Sequence, residues 1–109
     1  MLRIYSLVLQ LCRDVAVIAK AVERFDGDLA RQLRRAGQSV ALNLAEGSGS
    51  FGGNRRQRYF SSLGSAREVG ACFDVAEAFG YVSIEKEVRE RLDIVIGTLT
   101  NVLRLNLRR

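Results

Sequence analysis

The chain contains no proline, and four long stretches of it repeat apolar residues every three or four positions. This spacing places apolar side chains on one face of an α-helix, and without proline nothing interrupts the helical hydrogen bonds. We predict helices over about residues 3–24, 29–46, 54–79 and 84–107. Short connections between such helices are typical of an antiparallel up-down-up-down four-helix bundle. The expected fold class is therefore all-α, with residues 1–109 forming a single domain.

Each predicted helix has one apolar face, which we expect to form the core. These faces are Ile4, Leu7, Leu11, Val15, Ile18 and Val22; Leu29, Leu33, Ala36, Val40 and Leu44; Tyr59, Leu63, Ala66, Phe73 and Ala76; and Val88, Leu92, Val95, Leu99 and Val102. Four glycines within residues 47–53 predict a break between the second and third helices. Asp28 and Asn54 are the expected N-caps of those helices, Gly80 the expected stop of the third, and Ser83 the cap of the fourth.

The fourth predicted helix is apolar beyond its core face. The additional apolar residues are Ile94, Ile96, Leu103, Leu105 and Leu107. A helix with apolar residues around much of its circumference is either enclosed by its own chain or covered by another subunit. The sequence therefore predicts self-association.

The positive charge of the chain is concentrated in its middle. Between Arg31 and Arg67 there are seven arginines and a single acid, Glu46, whereas the rest of the sequence carries ten basic and eleven acidic residues. Arginine is the side chain best suited to bidentate contacts with phosphate or carboxylate groups. The segment is either a polyanion-binding surface or a solvated helix end whose arginines form salt bridges, and the pattern leaves both open.

The run Asn43–Gly47 sets an amide and a carboxylate into the apolar stripe of the second helix. Polar groups placed there cost free energy unless they are hydrogen-bonded. We predict a structural polar layer across the second and third helices, formed by Ser39, Asn43, Glu46, Ser65 and Glu68. The alternative is that Glu46 and Glu68 act as a catalytic acid and base, but no third catalytic group is in view.

Other features argue against an enzyme. Histidine is absent and the two cysteines are sixty residues apart, so the common general base and the spacing of a metal site are both missing. We expect no metal, no cofactor and no catalytic residue. Gln10, Arg13 and Asp14 interrupt the first apolar run, so no signal peptide is expected, and no segment is apolar for the length of a membrane span. Two cysteines in apolar surroundings favour free thiols and a cytoplasmic protein.

Residues 54–60, at the start of the third helix, combine three arginines with two amides and two aromatic residues. Arginines there could neutralise phosphates, assisted by the helix dipole, and aromatic rings could stack on unpaired bases. We expect Tyr59 and Phe60 to be mostly buried, which weakens base stacking but not phosphate binding.

The order of these motifs resembles the bacterial four-helix-bundle proteins encoded in intervening sequences of 23S ribosomal RNA genes. The resemblance rests on Arg34, Ser39, Asn43–Gly47, Arg55–Arg56, Tyr59–Phe60, Ser65 and Glu68. It implies a homopentameric ring with no established enzymatic activity. The family is also similar to the accessory variability protein of diversity-generating retroelements, a basic pentamer that binds nucleic acid and a reverse transcriptase.

The similarity to that second protein implies which residues contact RNA or DNA. They are Arg31, Arg34, Arg35, Arg55, Arg56 and Arg58. The leading hypothesis is a non-enzymatic oligomer that binds nucleic acid through an arginine-rich surface. The alternative is a protein–protein adaptor that docks an acidic partner such as a reverse transcriptase, and neither hypothesis involves a membrane.

Overall fold

The computed structural model of the chain describes the backbone of residues 3–107 and the side chains of residues 3–105. Four helices make up most of it: α1 (Ile4–Glu23), α2 (Gly27–Ser48), α3 (Gly52–Ala78) and α4 (Lys86–Leu107). No strand occurs within residues 3–107, and the all-α prediction is confirmed. Helices α1 and α3 each pack against both α2 and α4.

One hydrophobic core lies between the four helices. All ten residues predicted to face inward from the second and third helices are buried. In α1, Val8 and Ala19 are buried in place of Leu7 and Ile18, and in α4 Leu103 is buried more deeply than Val102. The apolar stripes of α1 and α4 are wider than the core they face, so spacing alone did not decide which of two adjacent residues points inward.

The connection between α2 and α3 is shorter than predicted. Helix α2 continues through Ser48, and only residues 49–51 separate it from α3. Gly52 has a φ of +56°, a conformation that glycine adopts without strain, and it turns the chain directly into α3. Asn54 is therefore not the cap, and Phe51 takes the N-cap position without a side-chain hydrogen bond.

The cap of α2 also lies earlier than predicted. The side chain of Asp26, rather than that of Asp28, accepts a hydrogen bond from the backbone N–H of Leu29 at 2.9 Å. This bond satisfies one of the N–H groups that have no partner within the first turn of a helix. Asp28 lies inside the first turn, where its negative charge favours the helix dipole.

Gly80 stops the third helix, as predicted, and follows the C-cap residue Phe79. Gly80 has a φ of +74°, its N–H donates to the carbonyl oxygen of Glu77, and the N–H of Tyr81 donates to that of Ala76, both at 2.9 Å. These two bonds form a Schellman motif. Ser83 is not the cap of α4, because that helix begins only at Lys86. In the connection before it, a carboxylate oxygen of Glu77 accepts the N–H of Ile84 at 2.9 Å.

The ring of Tyr81 stacks with two exposed phenylalanines. Its ring centroid is 5.3 Å from that of Phe25 and 5.6 Å from that of Phe79, with nearly parallel planes in both pairs. Stacked aromatic pairs contribute about 0.5–1.5 kcal/mol beyond the burial of their area. The stack joins the α1–α2 connection to the α3–α4 connection.

Replacing Gly47 with alanine should destabilise the protein. The added methyl group would lie 2.5 Å and 2.6 Å from two ring carbons of Tyr59, which is buried and cannot move aside freely. Overpacking of this kind costs about 1–3 kcal/mol. Gly64→Ala is the matched control, because its methyl meets nothing within 4 Å and alanine favours a helix by about 1 kcal/mol. Urea unfolding measures both, and equal stabilities would contradict the close approach of α2 and α3.

Replacing Glu77 with glutamine should destabilise the protein at neutral pH but not in acid. Hydrogen bonds from Ile84 and Arg89 lower the pKa of Glu77 below its usual 4.5. The Glu77 carboxyl therefore binds a proton less tightly in the folded state than in the unfolded state. The stability that its charged form contributes is lost as the pH falls through the folded-state pKa.

Chemical unfolding at about pH 7 and about pH 2.5 tests this effect, with the exposed Glu87→Gln as control. The stability deficit of Glu77→Gln relative to wild type should shrink or vanish at the lower pH. A deficit that stays constant across the two conditions would assign the effect to packing rather than to the charge of Glu77.

Candidate nucleic-acid interface

A seam of polar contacts joins α2 to α3 at the surface. Ser65 Oγ donates to Ser39 Oγ at 2.7 Å, and Asn43 Nδ2 donates to the same hydroxyl at 2.9 Å. Arg58 extends the seam, because its guanidinium donates to Asn43 Oδ1 at 3.3 Å and lies 2.9 Å from a carboxylate oxygen of Glu46. Four of the five residues predicted to form the polar layer therefore belong to one bonded chain, which we call the α2–α3 seam; their structural role stays a prediction.

The seam lies at the edge of the core and not within it. Leu44 fills the core position, Asn43 is half-buried, and Glu46 is exposed, so the expectation that the amide and the carboxylate enter the apolar stripe was wrong. A helix turns about 100° per residue, which puts Asn43 at the border of the stripe and Glu46 outside it. Glu68 is exposed as well.

The fully buried polar residue of this contact escaped the sequence analysis. Ser62 is 0% exposed, and its hydroxyl donates to the carbonyl oxygen of Val40 across the α2–α3 contact at 2.8 Å. Only its position between the buried Tyr59 and Leu63 signalled burial. A serine there is small enough for close packing and carries its own hydrogen bond, so it leaves no unsatisfied group.

An open cleft of about 300 Å³ lies beside the seam. Its lining residues come from both helices, and they are Gln32, Arg35, Ala36, Ser39, Ser65 and Glu68. Glu46 does not line this cleft and is bound to Arg58 instead. The structure therefore does not bring Glu46 and Glu68 together as an acid–base pair.

The six arginines predicted to contact nucleic acid do not share one environment. Arg31 pairs with Asp28, Arg34 with Glu23 at 2.8 Å, and Arg58 with Glu46. The Arg34 pair lies between α2 and α1, and its hydrogen bond lowers the pKa of the Glu23 carboxyl. Arg34 is thus turned away from the α2–α3 seam.

The other three predicted arginines form no ion pair with any side chain of residues 3–105. Arg35 lines the cleft. Arg55 donates through Nε to the carbonyl oxygen of Ser50 at 2.9 Å, and its guanidinium lies over the ring of Phe51 at 5.7 Å from the centroid. Arg56 is half-buried at the start of α3. Arg67, which was not among the predicted contacts, is exposed and likewise unpaired within that range.

Two exposed aromatic rings accompany these arginines. Tyr59 is buried as expected, but Phe60 is 56% exposed and Phe51 is 82% exposed. Phe60 follows the buried Tyr59 by one residue and is therefore rotated about 100° away from the core. The expectation that both aromatic residues of residues 54–60 are mostly buried was wrong for Phe60, and ring faces are available next to Arg55 and Arg56.

Other kinds of site find no support in the part of the chain that the structure describes. No group of three or more histidine, cysteine, aspartate or glutamate residues there could hold a metal ion. None of the described helices is both long enough and apolar enough to cross a membrane.

The fold and the arginine distribution define a small basic four-helix protein. The family model described as 23S rRNA-intervening sequence protein matches residues 1–101, and the chain belongs to that family. The resemblance seen in the sequence is thereby confirmed. No curated protein matches the chain. The further similarity to the accessory variability protein of diversity-generating retroelements stays a prediction.

Proposed function

We propose that this protein is a non-enzymatic oligomer that binds nucleic acid, RNA or DNA, through the arginines of α2 and the first half of α3. The observation that carries the proposal is the set of arginines between residues 31 and 67 that have no acidic partner among the described side chains. These are Arg35, Arg55, Arg56 and Arg67. Their side chains do not stabilise the fold through ion pairs, so their charge is available to phosphates.

The paired arginines add to this surface. Arg31–Asp28 and Arg58–Glu46 are ion pairs in which every side chain is at least half exposed, and such pairs contribute only about 0–1 kcal/mol. A phosphate can replace the carboxylate at little cost to stability. The exposed rings of Phe51 and Phe60 provide faces on which unpaired bases stack.

The proposal includes an up-down-up-down order of the helices. Along the α1–α2 contact, Glu23 pairs with Arg34 near the connection, while Val15 touches Gly37 farther from it. Moving away from the connection along α1 therefore also means moving away from it along α2. This is the contact pattern of two antiparallel helices. The stack of Phe25 on Tyr81 supports the placement of the first and third connections at one end.

The proposal also includes self-association, with the homopentameric ring that the family resemblance implies. On α4, Ile94 is 55% exposed and Leu105 is 58% exposed, and the exposed Asn101 lies between them on the same face. We call this face the α4 stripe. The prediction for Leu107 concerns a side chain outside the described residues. A ring repeats each weak arginine surface and raises avidity where one polyanion reaches several of them.

The two cysteines support the cytoplasmic location predicted from the sequence. Cys12 and Cys72 are both free, and burial raises the pKa of each thiol. A raised pKa keeps a thiol protonated and unreactive, as suits structural cysteines in a reducing compartment.

Binding to single-stranded RNA or DNA should weaken steeply with salt, and the variant Arg55→Glu/Arg56→Glu should weaken it further. Each lost phosphate contact reduces the slope of log K against log salt by about 0.7–0.9, so the double variant should lower the slope by about 1–2. The matched control is Arg13→Glu/Lys20→Glu, which makes the same charge change at exposed positions of α1. Mobility shift or fluorescence anisotropy across a salt series measures the slope.

Two outcomes would contradict this proposal. One is wild-type binding that does not depend on ionic strength. The other is an equal loss of affinity in the two double variants, which would show that binding depends on the net charge of the protein and not on Arg55 and Arg56. An acidic protein partner whose capture requires the same arginines and survives nuclease treatment would instead favour the adaptor hypothesis.

Replacing Ile94 with glutamate should reduce the mass of the particle. The substitution puts a charge on the α4 stripe, where burial against a second subunit would cost several kcal/mol. Val17→Glu, at a position of α1 that is 72% exposed, is the control and should leave the mass unchanged. Light scattering at micromolar concentration measures both, and a monomeric wild-type protein would contradict self-association.

A further inference from the structure

The cleft beside the seam contains a carboxylate that the proposed function does not explain. Glu68 lines this cleft, is exposed, and forms neither a salt bridge nor a side-chain hydrogen bond with any residue in the range 3–105. Glu46, the other acid on this side of the protein, is neutralised by Arg58. An unpaired carboxylate repels phosphates, so its presence in an arginine-rich surface suggests that it contacts a different part of the ligand.

The remaining groups of the cleft complement this carboxylate. Arg35 and Gln32 come from α2, while Glu68 comes from α3. Ser39 and Ser65 also line the cleft, and their hydroxyls are bonded to each other at 2.7 Å. The volume of about 300 Å³ is at the lower end of the range for small-molecule sites. The cleft thus offers a cation for a phosphate and a carboxylate for N–H donors, in a space that suits one nucleotide.

We propose that this cleft binds one unpaired guanine of the bound strand, with the Glu68 carboxylate accepting hydrogen bonds from the N1–H and N2–H groups of the base. Guanine presents these two donors side by side, which matches the two oxygens of a carboxylate. Adenine and cytosine place a ring nitrogen acceptor beside their amino group, and uracil places carbonyl oxygens on both sides of its N–H. Arg35 binds the phosphate of the same nucleotide.

This inference rests on the proposed function and adds a base preference to it. Sequence-specific RNA recognition targets unpaired bases, whose Watson–Crick edges are free, while phosphate contacts carry no sequence information. Arg35, Arg55 and Arg56 would therefore set the affinity, and Glu68 would set the preference. Loss of the Glu68 charge should have a larger effect on the preference for guanine-containing strands than on the overall binding affinity.

The test compares a uridine oligomer with one central guanine against the same oligomer with inosine at that position. Inosine lacks only the N2 amino group, so the comparison isolates one of the two donors. Wild-type protein should bind the guanine oligomer about tenfold more tightly than the inosine oligomer. For Glu68→Gln the ratio should fall to less than about twofold, while Glu87→Gln, which removes the same charge from an exposed position of α4, should keep the wild-type ratio.

Each other outcome overturns the inference in a distinguishable way. Salt-dependent binding without preference for guanine would leave the proposed function intact and remove the base site. If Glu68→Gln binds all oligomers more tightly and the guanine-to-inosine affinity ratio is unchanged, Glu68 only repels phosphates and does not contact the base. A lower particle mass for Glu68→Gln in light scattering would make the cleft a contact between copies of the chain. Failure of wild-type protein to bind any oligomer at low salt would overturn the proposed function as well.

Discussion

The close approach of α2 to α3 at Gly47 and Tyr59 is the contact on which the α2–α3 seam and the cleft beside it depend. A methyl group has no room at Gly47, so the two helices lie closer there than ordinary side chains would permit. The bonds from Ser62 to Val40 and from Ser65 to Ser39 depend on the same short separation, because a serine side chain reaches only one bond beyond its Cβ. The glycine of the Asn43–Gly47 run therefore positions the seam and the cleft beside it.

The arginines divide into those that hold the fold and those that do not. Arg91 pairs with Asp14 at 3.2 Å in the least exposed ion pair of the described chain, and burial raises the pKa of Asp14 despite the opposing charge of Arg91. Arg89 binds both Asp74 and Glu77 across α3 and α4. The arginines of the central segment form exposed pairs or none. A ligand can therefore bind that segment without loosening the core.

Much of the fold could be predicted from the sequence because helix spacing and burial follow the same period. For this reason, every residue predicted to face inward from α2 and α3 is buried. The helix ends depended on single groups instead: Gly52 started α3 through a positive φ, and Glu77 bonds the N–H of Ile84 in the connection before α4. The site was less predictable. The arginines were identifiable by type, but which of them meets an acid depends on helix pairing, and the exposure of Phe60 depends on a rotation of one residue.

The two proposed surfaces occupy different parts of the molecule, which bears on whether one protein can use both. Helix α4 packs against α1 and α3, and Ile94, Asn101 and Leu105 lie on its outward face. The cleft is lined by α2 and α3. A contact on the α4 stripe of one subunit therefore need not cover Arg35 or Glu68 of that same subunit. If the clefts stay open in the proposed ring, assembly multiplies the arginine surface and favours a ligand long enough to span several subunits.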